Sequence, residues 1–218
     1  MKTLFSITLS SFVGFALVSC SPNPADDVAK AEVSDPVPSS SEEASAAAEG
    51  TVYTLTPESK LEFVGSKVTG KHDGGFEKFT GSFVVDVENK KLVEDAEHVV
   101  EIDMTSTWTD NEKLTGHLKS PDFFDVEKFP TSKFVLNKAV KTEAGYNLSG
   151  LLDFHGVQKA IVFPATVEVA DDGKSVTVKA DFAINRMDFG VEYPGKTDDL
   201  IREEVVIRFN VVGKPAAL

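Results

Sequence analysis

The sequence predicts an all-β domain of eight or nine antiparallel strands with one short helix, and three observations carry that prediction. Beyond residue 51, apolar residues recur at every second position through most of the chain, the period that turns one face of a strand inward. Glycine-bearing connections such as Asp171-Asp172-Gly173-Lys174 separate these runs. Only 110–118 has helical character, with Asp110 placed as its N-cap. One apolar and one polar face along every strand describes a sandwich or a closed barrel, and alternation alone does not choose between them.

The chain is expected to divide into 1–19, 20–50, 51–214 and a short tail at 215–218. Lys2 and the moderately apolar stretch from Leu4 to Val18 read as a targeting segment, too short and too mixed for a membrane span. It ends in Leu17-Val18-Ser19-Cys20, which resembles the lipobox of bacterial lipoproteins. That resemblance implies cleavage before Cys20, a membrane anchor through its acyl chains, and a place in the cell envelope. Because Ser21 follows the cysteine, the outer membrane facing the periplasm is expected. Cys20 is the only cysteine, so no intrachain disulfide can form. Residues 21–50 are rich in Ser, Ala, Pro and acidic groups, with seven acidic residues against Lys30 for a net −6. Such a composition predicts a disordered linker that lets the folded part stand some tens of ångströms from the membrane.

The strands follow in order. A short one near Val52 precedes alternating runs at 60–64, 76–87 and 97–104; another run covers 132–140 after the helix. In 146–155, Tyr146, Leu148, Gly150, Leu152 and Phe154 face one way and Asn147, Ser149 and Asp153 the other. Val157, Ile161, Phe163, Ala165, Val167 and Val169 then share a face, opposite Gln158, Thr166 and Glu168. Val176, Val178, Ala180, Phe182 and Ile184 alternate with Thr177, Lys179 and Asp181, and Ile201, Val205, Ile207, Phe209 and Val211 with Arg202, Glu204, Arg208 and Asn210.

The segment His117–Pro130, HLKSPDFFDVEKFP, is the most specific part of the chain. Pro130 ends any helix and hands over to an extended run, and Phe123, Phe124 and Phe129 read as plugs over the end of a sheet. The segment resembles the signature of the YceI-like, polyisoprenoid-binding, lipocalin-like family. Further landmarks are Tyr53-Thr54-Leu55-Thr56-Pro57 with Ser59, Gly75-Phe76 with Phe79-Thr80-Gly81, Phe154-His155-Gly156-Val157, and Asn185-Arg186-Met187-Asp188-Phe189-Gly190. The likeness runs from about Val52 to Gly213. It implies an up-and-down lipocalin-like β-barrel and an isoprenoid-type lipid, such as a quinone or prenyl phosphate, held in an apolar tunnel. One departure stands out: many members place Arg-Asp shortly before the motif histidine, where this chain has Leu114-Thr115.

The expected lining is Phe63, Phe83, Val85, Val100, Ile102, Phe134, Leu136, Leu152, Phe154, Ile161, Phe163, Phe182, Ile184, Ile207 and Phe209. An eight-stranded barrel sits where side chains just fill the interior or leave room for one small ligand, so the pattern by itself leaves core and tunnel open. His117, Arg186 and Asp188 are the candidates for head-group or barrel-end contacts. Arg186 and Asp188 are also placed to form an internal ion pair, and Asp153 and His155 to share an outer strand face as a solvated pair.

Little suggests chemistry. The four histidines, His72, His98, His117 and His155, have no i, i+4 metal spacing, and no nucleophile elbow, phosphate loop or paired carboxylates occur. No catalytic residue, metal or cofactor is expected. The formal charge of −13 and the lack of a basic stripe argue against nucleic acid. The expected function is that of a lipid carrier or scavenger, with a membrane attachment at Cys20; family members can pair as homodimers, and no stripe here marks such a face. The alternatives are a fully packed envelope stress or interaction barrel, and an enzyme acting on a hydrophobic substrate.

Overall fold

The computed structural model describes residues 22–36, 49–94 and 96–216; the targeting segment, Cys20 and residues 37–48 lie outside them. Two short strands, β1 (Ala29–Lys30) and β2 (Glu32–Ser34), precede the main run. That run comprises β3 (Thr51–Leu55), β4 (Lys60–Lys67), β5 (Gly70–Phe76), β6 (Phe79–Asp86), β7 (Lys91–Leu92), β8 (His98–Asp103) and β9 (Thr107–Thr109). After helix α1 (Glu112–Lys119) come β10 (Thr131–Thr142), β11 (Gly145–Phe154), β12 (Val157–Val169) and β13 (Val176–Asn185). A small hairpin of β14 (Gly195–Lys196) and β15 (Asp199–Leu200) leads to β16 (Glu204–Pro215).

These strands make eight staves, because three of the staves are bent. β3 and β4 both pair with β16, β5 and β6 follow one another along the next stave, and β8 and β9 pair with β6 and β5. β10, β11, β12 and β13 continue antiparallel, and β13 pairs with β16 over its whole length, closing the barrel. Backbone hydrogen bonds carry across two of the breaks. At the break between β3 and β4, Ser59 Oγ accepts from Val212 N–H at 3.0 Å and Thr56 N–H donates to Val212 O at 2.8 Å. At the break between β5 and β6, Lys78 N–H donates to Ser106 Oγ at 3.0 Å.

Two expectations shift at this level. The helix begins at Glu112 and its N-cap is Asn111, whose Oδ1 accepts from Leu114 N–H at 3.1 Å. Asp110 is engaged elsewhere, 2.7 Å from His72 Nδ1 and accepting from Asp73 N–H. The second correction concerns the linker. Residues 24–34 are ordered: Pro24–Asp27 form a 3-10 turn capped by Asn23, and β1 and β2 pair with β13 and β12. Composition predicts disorder only for a segment with no partner, and here two sheet edges supply the hydrogen bonds. Among the described residues no helix is long and apolar enough to cross a membrane.

His98 is buried in β8, with Nδ1 accepting from Val84 N–H at 3.2 Å and Nε2 donating to Val93 O at 2.8 Å. With both nitrogens engaged in this way the ring is neutral, and burial holds its pKa below the usual 6.5. The unfolded chain therefore binds the extra proton more readily, so stability present above pH 6.5 is lost as the pH falls through the lowered folded value. Melting curves between pH 8 and 5 are expected to show this acid loss in the wild type and a shallower one in His98→Gln.

Candidate functional site

The staves enclose a cavity of about 470 Å3, within the size range of small-molecule sites. Its far end is closed by close-packed side chains: Tyr53, Val85, Leu92 and Val176 are buried there, with Val178 and Val211 reaching the cavity floor. The wall is phenyl-rich. Phe163 on β12 stacks on Phe182 of β13 at 4.2 Å and 8°, meets Phe209 edge-on at 5.8 Å, and lies 5.6 Å from Phe134. Such rings add apolar wall without a polar group to satisfy. Room for them is made by glycine. A Cβ at Gly150 would stand 2.6 Å from the Phe134 ring, and one at Gly74 would stand 2.5 Å from that of Phe63.

The other end is roofed by the segment following α1. Ser120 Oγ donates to His117 O at 2.7 Å, and Phe124 N–H donates to Leu118 O at 3.0 Å. These turns aim Phe123 and Phe124 inward, where Phe124 meets Phe63 edge-on at 6.3 Å and Phe154 at 5.6 Å. Phe129 packs beside the β11–β12 turn, 4.8 Å from the His155 ring, and does not reach the cavity.

Polar side chains meet the cavity chiefly at this end: Ser66, Lys67, His72, His117, Arg186, Lys196 and Asp199. Asp199 holds the β14–β15 hairpin to the β4–β5 turn. It is ion-paired with Lys67 and accepts from Thr69 Oγ1 at 2.9 Å, and the Lys67 hydrogen bond is the main reason its carboxyl lies below the usual range. His117 stands edge-on between Phe123 and Tyr193, 4.9 Å from each, with Nε2 3.0 Å from Asp122 Oδ2. Arg186 is buried. Its guanidinium donates to two backbone carbonyls, Val191 O and Arg202 O, and burial lowers its pKa against a smaller opposing effect of Glu203.

Every residue of the expected lining borders the cavity except Val85, which lies in the packing below it. His117 and Arg186 border it too; Asp188 does not. The expected Arg186–Asp188 pair is absent. The 3-10 turn Arg186–Phe189 sends residues two apart in different directions, leaving Asp188 exposed while Arg186 turns inward. The expected pairing of Asp153 with His155 also fails. β11 ends at Phe154, and His155 and Gly156 form a tight turn with φ of 54° and 73°, the positive pair such hairpins need. His155 Nδ1 donates instead to Phe189 O at 3.1 Å. Tyr193, Ser66, Lys67, Lys196 and Asp199 escaped the sequence reading.

With this geometry in view, comparison with known proteins is decisive. The model of the YceI-like domain matches residues 53–213. The chain belongs to the YceI-like family. Relatives include a UPF0312 protein of Pseudomonas putida strain GB-1, 30% identical over 165 residues, covering 71% of this chain and 84% of the relative. A UPF0312 protein of Pseudomonas syringae pv. syringae is 31% identical over 159 residues, covering 68% and 81%. Among solved structures, Burkholderia cenocepacia BcnA has a TM-score of 0.62 at 24% identity, covering 71% of this chain and 96% of that one. A polyisoprenoid binding domain from Saccharophagus degradans, implicated in plant cell wall breakdown, has 0.61 at 17%, covering 77% and 100%. Both share the YceI-like barrel fold. In this YceI-like chain the Leu114-Thr115 departure is visible: Leu114 borders the cavity, and Thr115 Oγ1 accepts from Thr109 N–H at 2.9 Å.

Proposed function

We propose that this protein binds an isoprenoid-type lipid, a quinone or prenyl phosphate, with its tail in the barrel cavity and its head at the polar end. It acts as a carrier or scavenger in the bacterial cell envelope, anchored through acyl chains on Cys20 to the outer membrane and facing the periplasm. The single observation that carries the reading is the cavity of about 470 Å3 with its hydrocarbon wall and one polar end. A prenyl tail has no hydrogen-bonding needs, and each five-carbon unit taken from water contributes about 4 kcal/mol gross. Three such units therefore reach the range of the association cost, about 4–15 kcal/mol. The fully packed alternative requires an interior with no space above a few waters, which a cavity of this size opposes. Binding without chemistry is favoured over catalysis because Lys67, His117 and Arg186 at the polar end are each engaged by a carboxylate or backbone carbonyls. The fold shared with a domain described as polyisoprenoid binding agrees with this ligand class.

Organic extraction of natively purified protein, followed by mass spectrometry, is expected to release a prenyl-chain lipid. Repeated preparations without any co-purifying lipid would overturn the proposal.

A further inference from the structure

The barrel wall has a seam. β12 and β13 pair directly only through Thr166↔Lys179, Val167↔Val178, Glu168↔Thr177 and Val169↔Val176, near the closed end. Toward the polar end the two strands part, and residues 29–34 occupy the gap between them. On one side Ala29 and Lys30 pair with Phe182 and Ala183 in parallel, and Ala31 N–H donates to Ala183 O at 2.8 Å. On the other, Glu32, Val33 and Ser34 pair with Val162, Ile161 and Ala160. Pro164, which has no N–H to give a ladder, lies where β12 changes from one neighbour to the other. The residues flanking the gap, Ile161, Phe163, Phe182 and Ile184, all border the cavity.

The strap that fills this gap is held lightly compared with the staves beside it. Its strands are two and three residues long, whereas β12 and β13 have 13 and 10. Inward it contributes only the half-buried side chains of Ala31 and Val33. Ala25 is its one fully buried anchor, seated outside on Val64, Ala183 and Val206. Its ion pairs, Lys30–Glu204 and Lys159–Asp35, are solvent-exposed and of the kind that holds little. Short strands with few apolar contacts open locally before the rest of a fold does.

We propose that the gap between β12 and β13 is a side portal through which the hydrocarbon tail enters and leaves, and that the strap 29–34 is its door. This inference rests on the carrier reading above. Displacing the strap exposes a slit bordered by four apolar side chains that leads into the cavity wall, so a tail can pass sideways without crossing the polar end. The chemistry that fits the four apolar side chains bordering the slit is an unbranched or methyl-branched hydrocarbon chain.

The test is a reversible lock. Ser34 and Ala160 are directly opposed across β2 and β12, so S34C/A160C in the full chain can be joined by oxidation, with each single variant controlling for Cys20. Uptake of a fluorescent geranylgeranyl analogue from phosphatidylcholine vesicles is followed by stopped flow. The oxidised lock is expected to slow uptake at least tenfold, and reduction to restore it. A second variant works in the opposite sense: Val33→Asp puts a carboxylate against the core and is expected to speed release at least fivefold. Uptake by the oxidised lock at the wild-type rate overturns the portal alone. Wild-type protein that takes up no probe overturns the carrier reading and the portal with it.

Discussion

Replacing Phe163 by alanine is expected to destabilise the barrel by about 3 kcal/mol, the lower end of the range for burying and then deleting a phenyl ring. Phe163 is 3% exposed and touches the rings of Phe134, Phe182 and Phe209. Against a solid core the loss would approach 5 kcal/mol, because every face of the ring would lose its contacts. Here one side borders the cavity and has fewer atoms to lose, which places the cost lower. Urea unfolding checks this as a fall in the midpoint with an unchanged slope. Phe163→Leu, which keeps most of the volume, is expected to cost about 1 kcal/mol. A loss near 5 kcal/mol for the alanine variant would mean that the space beside the ring is filled.

Arg186→Met is expected to cost about 2–4 kcal/mol. The substitution leaves Val191 O and Arg202 O without their donor, and an orphaned buried acceptor costs about 1–3 kcal/mol. Removing a desolvated cation returns part of that, since Arg186 is buried and its burial lowers its pKa. Lysine does not rescue the site, because one ammonium cannot reproduce the fork that spans both carbonyls. Hydrogen exchange is the discriminating measurement. Residues 191–202 carry the β14–β15 hairpin, so their amides are expected to exchange faster in Arg186→Met while those of β10 and β11 keep their protection.

Much of this architecture was legible in the alternation of apolar residues. The long runs around Leu148, Phe163, Phe182 and Phe209 place the same faces inward in the barrel, since a strand buried on one side has little freedom to slip register. What alternation misses is where a stave bends or ends. Val85 lies on the inward face of β6 and yet falls below the cavity, because position along the stave, and not face, decides that. His155 sits two residues beyond Asp153, but the strand has already turned. Arg186 and Asp188 are two apart in the chain, but both lie in a 3-10 turn that points them in different directions. The polar end depends on pairs far apart in sequence, such as Lys67 with Asp199, and no local pattern links a lysine to an aspartate 132 residues away. Pro164 was the readable sign of the seam. A proline within an otherwise regular strand marks a place where the ladder is interrupted, and the acidic segment that repairs the interruption was read from composition alone.

The docked strap would also fix how far the barrel could stray from the anchor proposed at Cys20. The 3-10 turn begins at Pro24, with Ala25 buried beneath it. If Cys20 carries the proposed acyl chains, only Ser21, Pro22 and Asn23 intervene, a reach of about 14 Å at full stretch. On that proposal a thirty-residue leash would shorten to a stub while the strap is in place, and the flank bearing the slit would be kept close to the bilayer surface. Undocking it would pay out the remaining chain, so that the same movement that parts the wall also frees the barrel to drift into the periplasm.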